Sequence, residues 1–287
     1  MVLPEDLVFS QSSLQDYEDC PRRFELRHLR HCRWPGPNSK DALLWEQVTE
    51  RGFAFHRLLS QLHSGISLDI LERVAAADSD LLRWWQAYAY QPPTDVPGEV
   101  RLCEATLLAR IDSHQVEARF DLLAGSPQSR WLILDWKTNA HRSDQAWLAR
   151  RLQTRVYPWV LVSAGVQLNG GVPIRPEQVE MCYWFAEFPA QPERLPYSTE
   201  QYEADGKMLS AMIAEIAQRV DQTDSAQGAS AAAFPRTQNL AQCRFCVYRS
   251  LCWDSMQAGK LSEAKDTESE ELTSVELDMD ALTPIPF

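Results

Sequence analysis

The chain has 287 residues, 45% of them hydrophobic, which suffices for one sizeable core with room for an inserted helical lobe. Its formal net charge of −12 argues against nucleic-acid binding through a generally basic surface. No apolar run reaches membrane-spanning length and the first ten residues do not resemble a signal peptide, so we expect a soluble, cytoplasmic protein with no membrane partner.

The first third of the chain is predicted to be helical. Ser12 or Ser13 can cap a first helix, which Cys20-Pro21 ends or kinks. Apolar side chains recur at helical spacing from Asp41 to about Leu62, and a further helix is predicted from Leu68 to Tyr90.

The periodicity then becomes alternating, which predicts a sheet. The strand predicted at 130–136 is almost entirely apolar and is therefore expected at the centre of the sheet. Strands followed by helices on one chain predict an α/β fold with a mixed sheet. In chain order, the predicted elements are strands at 100–110, 115–123 and 130–136, a helix at 144–164, a strand at 179–185 and a helix at 199–220.

Four regions follow from these elements. The small polar residues 225–233 predict a linker, and the eight acidic side chains and one lysine of residues 263–280 predict a disordered tail. The regions are an N-terminal helical lobe with the first cysteine (1–98), a sheet-containing core (99–224), a cysteine-rich segment (225–258) and the acidic tail (259–287). Because the tail carries so much of the negative charge, arginines elsewhere can still attract a phosphate backbone.

Three charged side chains are expected to converge at the end of the central strand. Asp135 and Lys137 flank Trp136 and so share a face, which Asp121, near the end of the neighbouring strand, can reach. Carboxylate oxygens suit Mg²⁺ or Mn²⁺, which could polarise a phosphodiester and acidify a water that Lys137 orients or deprotonates. An ordinary ion pair between Asp135 and Lys137 is the alternative, because the pattern is short.

Three of the seven cysteines, Cys243, Cys246 and Cys252, lie within ten positions of one another. A reducing cytoplasm disfavours disulfides, so this clustering indicates a bound metal. Three nearby thiolates and one distant thiolate suit a cubane iron–sulfur cluster. A structural zinc site is the alternative, although such sites usually contain two short cysteine pairs and only one is present here.

These motifs together resemble the RecB-like branch of the PD-(D/E)XK nucleases, including AddB-type and CRISPR-associated members with an iron–sulfur cluster. The similarity spans residues 12–253 and includes the opening SSLQDYEDCPRRFELRHL. The family's G-x-hydrophobic-D motif is matched by Arg119-Phe120-Asp121, except that Ala118 stands where glycine is common. The other matched motifs are G-x-x-x-H at Gly52–His56, D-x-K at Asp135–Lys137, Q-x-x-x-Y at Gln153–Tyr157 and C-x2-C-x5-C at Cys243–Cys252.

The resemblance implies a restriction-endonuclease-like mixed sheet flanked by helices, with an N-terminal helical lobe and a C-terminal iron–sulfur clamp. It also implies the site residues. The metal ligands would be His56, Asp121, Asp135 and the carbonyl of Trp136; Lys137 would be the catalytic lysine; Gln153 and Tyr157 would position the lysine or DNA; and Cys20, Cys243, Cys246 and Cys252 would hold a 4Fe–4S cluster.

We therefore predict a metal-dependent nuclease that degrades DNA, preferably single-stranded, from its ends in repair or recombination. Two alternatives stay open: a nuclease subunit of a recombination or CRISPR-adaptation complex, and a non-enzymatic DNA-binding protein with a metal knot. Trp84 and Trp85 could stack on bases, although core packing is their more ordinary role. The candidate phosphate-binding residues are Arg22, Arg23, Arg142, Arg150, Arg151 and Arg155.

The last residues, Ile285-Pro286-Phe287, follow the acidic run and resemble the end of bacterial single-stranded-DNA-binding proteins. That resemblance implies docking of repair proteins through the terminal phenylalanine. A tail that only improves solubility is the simpler interpretation.

Overall fold

The structure is a computed structural model that describes residues 3, 7–33, 40–225, 233–243 and 246–253. The predicted linker falls mostly outside the described residues. The predicted acidic tail lies outside them entirely, so the docking role of Ile285-Pro286-Phe287 stays a prediction.

A mixed sheet formed by six strands of the described residues is the centre of the fold. Strand β3 pairs antiparallel with β2 along one edge, while β1 (parallel) and β4 (antiparallel) share its other edge. Strand β5 continues parallel to β4, and β6 lies antiparallel to β5. The strands are β1 (Val8–Ser10), β2 (Val100–Ile111), β3 (His114–Ser126), β4 (Arg130–Lys137), β5 (Val179–Phe185) and β6 (Glu193–Pro196).

This topology confirms the predicted α/β fold with a mixed sheet flanked by helices. The helices are α1 (Gln11–Asp19), α2 (Pro21–Phe24), α3 (Lys40–His63), α4 (Leu68–Ala75), α5 (Ser79–Tyr90), α6 (Gln145–Leu148), α7 (Leu152–Ala164), α8 (Thr199–Ser225) and α9 (Arg249–Cys252). A π turn at Glu25–Leu29 continues α2, and 3₁₀ turns occupy Pro176–Gln178 and Leu240–Cys243.

The N-terminal cap of α1 differs from the prediction. Ser10, rather than Ser12 or Ser13, caps the helix: its side chain accepts the N–H of Ser13 at 3.1 Å. The Ser13 side chain bonds back to the Ser10 N–H at 2.9 Å, which completes a capping box.

Two predicted helices are each divided in two by a new cap. In the 68–90 segment, α4 ends at Ala75, and Asp78 then accepts the N–H groups of Asp80 and Leu81, which start α5. In the 144–164 segment, Asp144 caps α6 and extended backbone at Arg151 separates it from α7.

The sheet separates two hydrophobic cores. Helices α1, α7 and α8 pack on one face, and helices α3, α4 and α5, predicted as an N-terminal lobe, cover the other. Alternation along β4 sends Trp131 and Ile133 to the first core and Leu132, Leu134 and Trp136 to the second. No helix in the described part of the chain is both long and apolar enough to span a bilayer.

Candidate active site

A gap in strand pairing lies at the centre of the candidate site. Strand β1 pairs with β3 at residues 115–117, and β4 pairs with β3 from Leu122 onward. Asp121 lies on the β3 edge between these two partners. Its Oδ2 accepts the backbone N–H of Trp136 at 2.9 Å. A side-chain oxygen therefore replaces a backbone carbonyl as the acceptor where the β3–β4 ladder ends. Polar side chains from both sheet faces can meet in this gap.

His56 reaches the gap from α3 and contacts Asp121. The His56 Nδ1 lies 3.1 Å from Asp121 Oδ1, while the buried His56 Nε2 has no hydrogen-bond partner among the described residues. Burial opposes protonation of His56, but the charge and hydrogen bond of Asp121 outweigh it and raise the pKa of His56 to about 9. The same contact holds the pKa of Asp121 below its ordinary value, although the burial of most of its side chain opposes this.

Glu104 is a further carboxylate at this site, and the sequence analysis missed it. One potential ligand atom from each of His56, Glu104 and Asp121 lies within 4.8 Å of the other two. Glu104 has a left-handed backbone with φ of 53°, which is uncommon for a residue with a side chain. Its Oε2 accepts a hydrogen bond from Arg119 Nε at 2.7 Å.

The register of the β2–β3 hairpin is the signal that could have identified Glu104. Ile111 pairs with His114 across a two-residue turn, and Cys103 pairs with Leu122 further along the hairpin. Between the pair of Cys103 with Leu122 and that of Ala105 with Phe120, the register puts Glu104 across from Asp121, although these two residues are not themselves paired.

Asp135, Lys137 and Gln153 form a closed group, joined by one ion pair and two hydrogen bonds, on the other side of the gap. Lys137 Nζ lies 3.0 Å from Asp135 Oδ2 and donates to Gln153 Oε1 at 3.0 Å. Gln153 Nε2 donates to Asp135 Oδ1 at 2.6 Å. The exposed fractions of the three residues are only 4–7%. Burial raises the pKa of Asp135, and the Asp121 charge adds to this, although Lys137 opposes it.

The donor set fits a divalent cation. An imidazole nitrogen and several carboxylate oxygens suit hard or borderline ions such as Mg²⁺ and Mn²⁺. The unpartnered, buried Nε2 of His56 is an unused ligand atom, and the repulsion between Asp121 and Asp135 is of the kind that a bound cation relieves.

The rings of Tyr157 and Trp136 contact other aromatic side chains in the two cores. Tyr157 is buried, with its ring against Phe120 at a centroid distance of 5.3 Å. The Trp136 ring lies in the second core, edge-on to His56 and stacked on His63 with centroids 5.8 and 5.9 Å away. The structure thus brings Gln153 to the lysine, and the positioning role of Tyr157 stays a prediction.

The four predicted cluster cysteines line a single cavity. Cys20, at the end of α1, faces Cys243, Cys246 and Cys252 from the C-terminal segment, and three guanidinium-bearing residues, Arg23, Arg236 and Arg249, line the same cavity. All four cysteines are unbridged, and no three of their sulfur atoms form a group within 4.8 Å among the described residues.

Further hydrogen bonds join the two ends of the chain around this cavity. The Arg22 N–H donates to the Pro235 carbonyl at 3.2 Å, and the Tyr248 hydroxyl donates to the Cys32 carbonyl at 3.1 Å. Cys103 and Cys182 lie in strands β2 and β5, away from it.

Most of the arginines proposed to bind DNA already pair with carboxylates. Arg150 is exposed, and the Arg151 guanidinium lies 4.8 Å from the centre of the Trp147 ring. Trp84 and Trp85 are buried in the second core, so they pack there and do not offer base-stacking surfaces. The paired residues are Arg22 with Glu25, Arg23 with Asp16 and Asp19, Arg142 with Glu193, and Arg155 with Asp205.

Comparison with known proteins gives one family match. The sequence model of the PD-(D/E)XK nuclease superfamily matches residues 8–253. No curated protein matches the chain.

The solved structures that are similar to this one include two crystal structures. The structure of SSO0001 shares 13% identity at a TM-score of 0.37, covering 89% of this chain and 90% of that one. A candidate exonuclease from Eubacterium rectale shares 11% identity at a TM-score of 0.45, covering 75% and 82%. At these scores neither similarity bears on function.

Proposed function

Because the chain belongs to the PD-(D/E)XK nuclease superfamily, we propose that it is a metal-dependent DNA exonuclease that acts on single strands in repair or recombination. The observation that carries this proposal is the convergence of His56, Asp121, Asp135 and Lys137 at the gap between β3 and β4. These residues come from a helix and two strands, and a simple strand-end ion pair would need only Asp135 and Lys137.

The proposed ion is Mg²⁺ or Mn²⁺, held by His56, Asp121, Asp135 and the carbonyl of Trp136. We add Glu104 to this set, because its carboxylate lies beside His56 and Asp121. When bound, such an ion supplies Lewis-acid polarisation of the scissile phosphate and acidifies a water.

Lys137 would place a fixed positive charge beside the scissile phosphate. Its stem is buried, and contacts to Asp135 and Gln153 fix its ammonium group. A preorganised cation of this kind stabilises negative charge that develops during phosphodiester cleavage. Gln153 contributes by holding Asp135 and Lys137 at once.

We propose a 4Fe–4S cluster at the four-cysteine cavity. Four cysteines that line one cavity match the number of thiolates that such a cluster needs, and the lining arginines would offset the negative charge of four thiolates. The cluster would clamp α1 to the C-terminal segment.

Arg150, which is exposed between α6 and α7, has an accessible side chain for a DNA backbone, and the neighbouring Arg151 is a further candidate. Trp147, which supports Arg151, is only partly buried and could also contact a base. Arg22, Arg23 and Arg155 would have to exchange a carboxylate partner for a phosphate, so they are weaker candidates.

A cleavage assay on the purified protein tests the function. With Mn²⁺ or Mg²⁺, we expect end-labelled linear single strands to be degraded and circular single strands to resist. Lys137→Ala should abolish degradation, whereas Lys207→Ala, which removes an exposed lysine on α8, should not. Full activity of Lys137→Ala would contradict the site, and tight DNA binding by an inactive wild-type protein would instead favour a non-enzymatic DNA-binding protein.

A further inference from the structure

We infer that Tyr183 is a positioning residue for Lys137 and that Thr154 fixes Tyr183 in its working orientation. The inference rests on the proposed nuclease function, in which Lys137 is the catalytic lysine. Tyr183 lies in β5 and is paired with Asp135 across the parallel β4–β5 ladder.

The Tyr183 ring lies close to the Lys137 ammonium group. Lys137 Nζ lies 5.5 Å from the centre of this ring, within the range of about 6 Å in which an aromatic face attracts a cation. Asp135 Oδ2 and Gln153 Oε1 contact the same nitrogen, both at 3.0 Å. Two oxygens and one ring are therefore among the groups that hold it in place.

The orientation of the ring follows from the donors and acceptors around its hydroxyl. Thr154 Oγ1 lies 2.6 Å from the Leu148 carbonyl oxygen and 2.6 Å from the Tyr183 hydroxyl. A carbonyl can only accept, so the single hydroxyl proton of Thr154 is donated to Leu148. The Tyr183 hydroxyl must then donate to Thr154, which anchors the ring at the break between α6 and α7.

An aromatic ring beside the ammonium group would restrain the flexible side chain of Lys137. The side chain has a flexible stem with about 2 kcal/mol of rotamer entropy, and Asp135 alone would draw the ammonium towards its own carboxylate. An aromatic face attracts the ammonium without being an oxygen acceptor. Tyr183 can thus restrain Nζ while competing less than a second carboxylate for protons that would be directed at a phosphate oxygen.

Kinetic constants of three variants test the role. Tyr183→Leu removes the ring, and we expect kcat on linear single strands to fall about tenfold to a hundredfold with KM nearly unchanged, because small misplacements of a reacting group are costly. Tyr183→Phe keeps the ring and should recover most of that loss. Thr154→Val should lie between them, and Tyr202→Leu on α8 is the matched control for loss of a tyrosine elsewhere.

Nuclear magnetic resonance of the metal-free protein gives a readout that does not depend on activity. The chain has only five lysines, so labelled lysine gives few signals, and Lys137→Arg assigns the relevant one. Protons above an aromatic face resonate at low chemical shift. We expect the Lys137 side-chain signals to be shifted in this way in the wild type and in Tyr183→Phe, and to return to ordinary values in Tyr183→Leu.

The outcomes separate the inference from the function on which it rests. An inactive wild-type protein would refute the nuclease proposal, whatever the resonances show. An active wild type together with an equally active Tyr183→Leu, or with Lys137 resonances that do not respond to loss of the ring, would overturn the positioning role. If Tyr183→Leu fails to fold, Thr154→Val decides: unchanged kcat and unchanged Lys137 resonances would overturn the inference.

Discussion

Asp121 accepts the backbone N–H of Trp136 at the point where strands β3 and β4 stop pairing. The carboxylate that we propose as a metal ligand therefore also replaces a missing ladder acceptor. Removing it should affect both the chemistry and the junction between the two strands, and the two effects can be separated by the choice of substitution.

Asp121→Asn and Asp121→Ala should both be inactive but should differ in stability. Asparagine retains an oxygen that can accept the Trp136 N–H, whereas alanine leaves this donor without its acceptor. We expect Asp121→Ala to be less stable than Asp121→Asn by about 1–3 kcal/mol. Urea unfolding of the metal-free proteins measures the difference, and equal midpoints would show that the hydrogen bond contributes little.

Glu104→Gln should lower the affinity of the site for Mn²⁺ more than it lowers the stability of the fold. Loss of one carboxylate from the His56–Glu104–Asp121 group should raise the Mn²⁺ concentration for half-maximal cleavage about tenfold to a hundredfold. Glu99→Gln, at an exposed position just before β2, is the control. Calorimetric titration of Mn²⁺ without DNA should show the same order, and an unchanged affinity would remove Glu104 from the ligand set.

Replacing Cys20 should prevent the proposed cluster from binding in the cavity and should release the C-terminal segment from α1. We expect the anaerobically purified wild-type protein to be brown and to contain about four iron atoms per chain. Cys20→Ser should lose the colour and melt at a lower temperature, while Cys103→Ala, which alters a cysteine in β2, should remain brown. A colourless wild-type protein that contains zinc would overturn the iron–sulfur proposal.

Asp16 should make stability depend on pH. Burial alone would raise its pKa, but the hydrogen bond to His28 and the charges of Arg23 and Arg27 outweigh burial and hold the pKa of Asp16 below its ordinary value. Because the folded-state pKa is the lower one, the stabilisation is present above the unfolded-state value of about 3.9 and is lost as the pH falls through the folded-state value.

Asp16→Asn should therefore be less stable than the wild type at neutral pH, on the order of 3 kcal/mol for a broken buried pair. The difference should shrink as the pH falls below about 4. Urea unfolding at a series of pH values measures it, with the exposed Glu203→Gln as the control. If the difference in stability between Asp16→Asn and the wild type stays constant with pH, the asparagine acts through packing and not through the lost charge.

Elements with a strong local pattern could be predicted from the sequence. The strand Val179–Phe185 has the predicted bounds, because a short apolar run between polar segments has few other interpretations. Helix α3 likewise extends only one residue beyond the prediction at each end. Strands β1 and β6 were missed because three or four residues are too few for an alternation to be recognised, and their pairing depends on partners distant in the chain.

The same limit applies to the site. Asp135 and Lys137 could be proposed from their spacing, and Gln153 from its motif, because each lies in a recognisable local pattern. Glu104 depends on the hairpin register, and Tyr183 lies within a mostly apolar strand. Neither residue has a local signal that distinguishes it from its neighbours; only the pairing of strands places them beside Asp121 and Lys137.

The hydrogen bond from Gln242 to Asp19 joins residues 223 positions apart. During synthesis, helix α1 leaves the ribosome long before the segment that completes its surroundings. Closing so long a loop carries a large entropic cost, and contacts of this kind slow folding. The cysteine cavity and the contacts around it can therefore form only late, after nearly all of the described chain has been made.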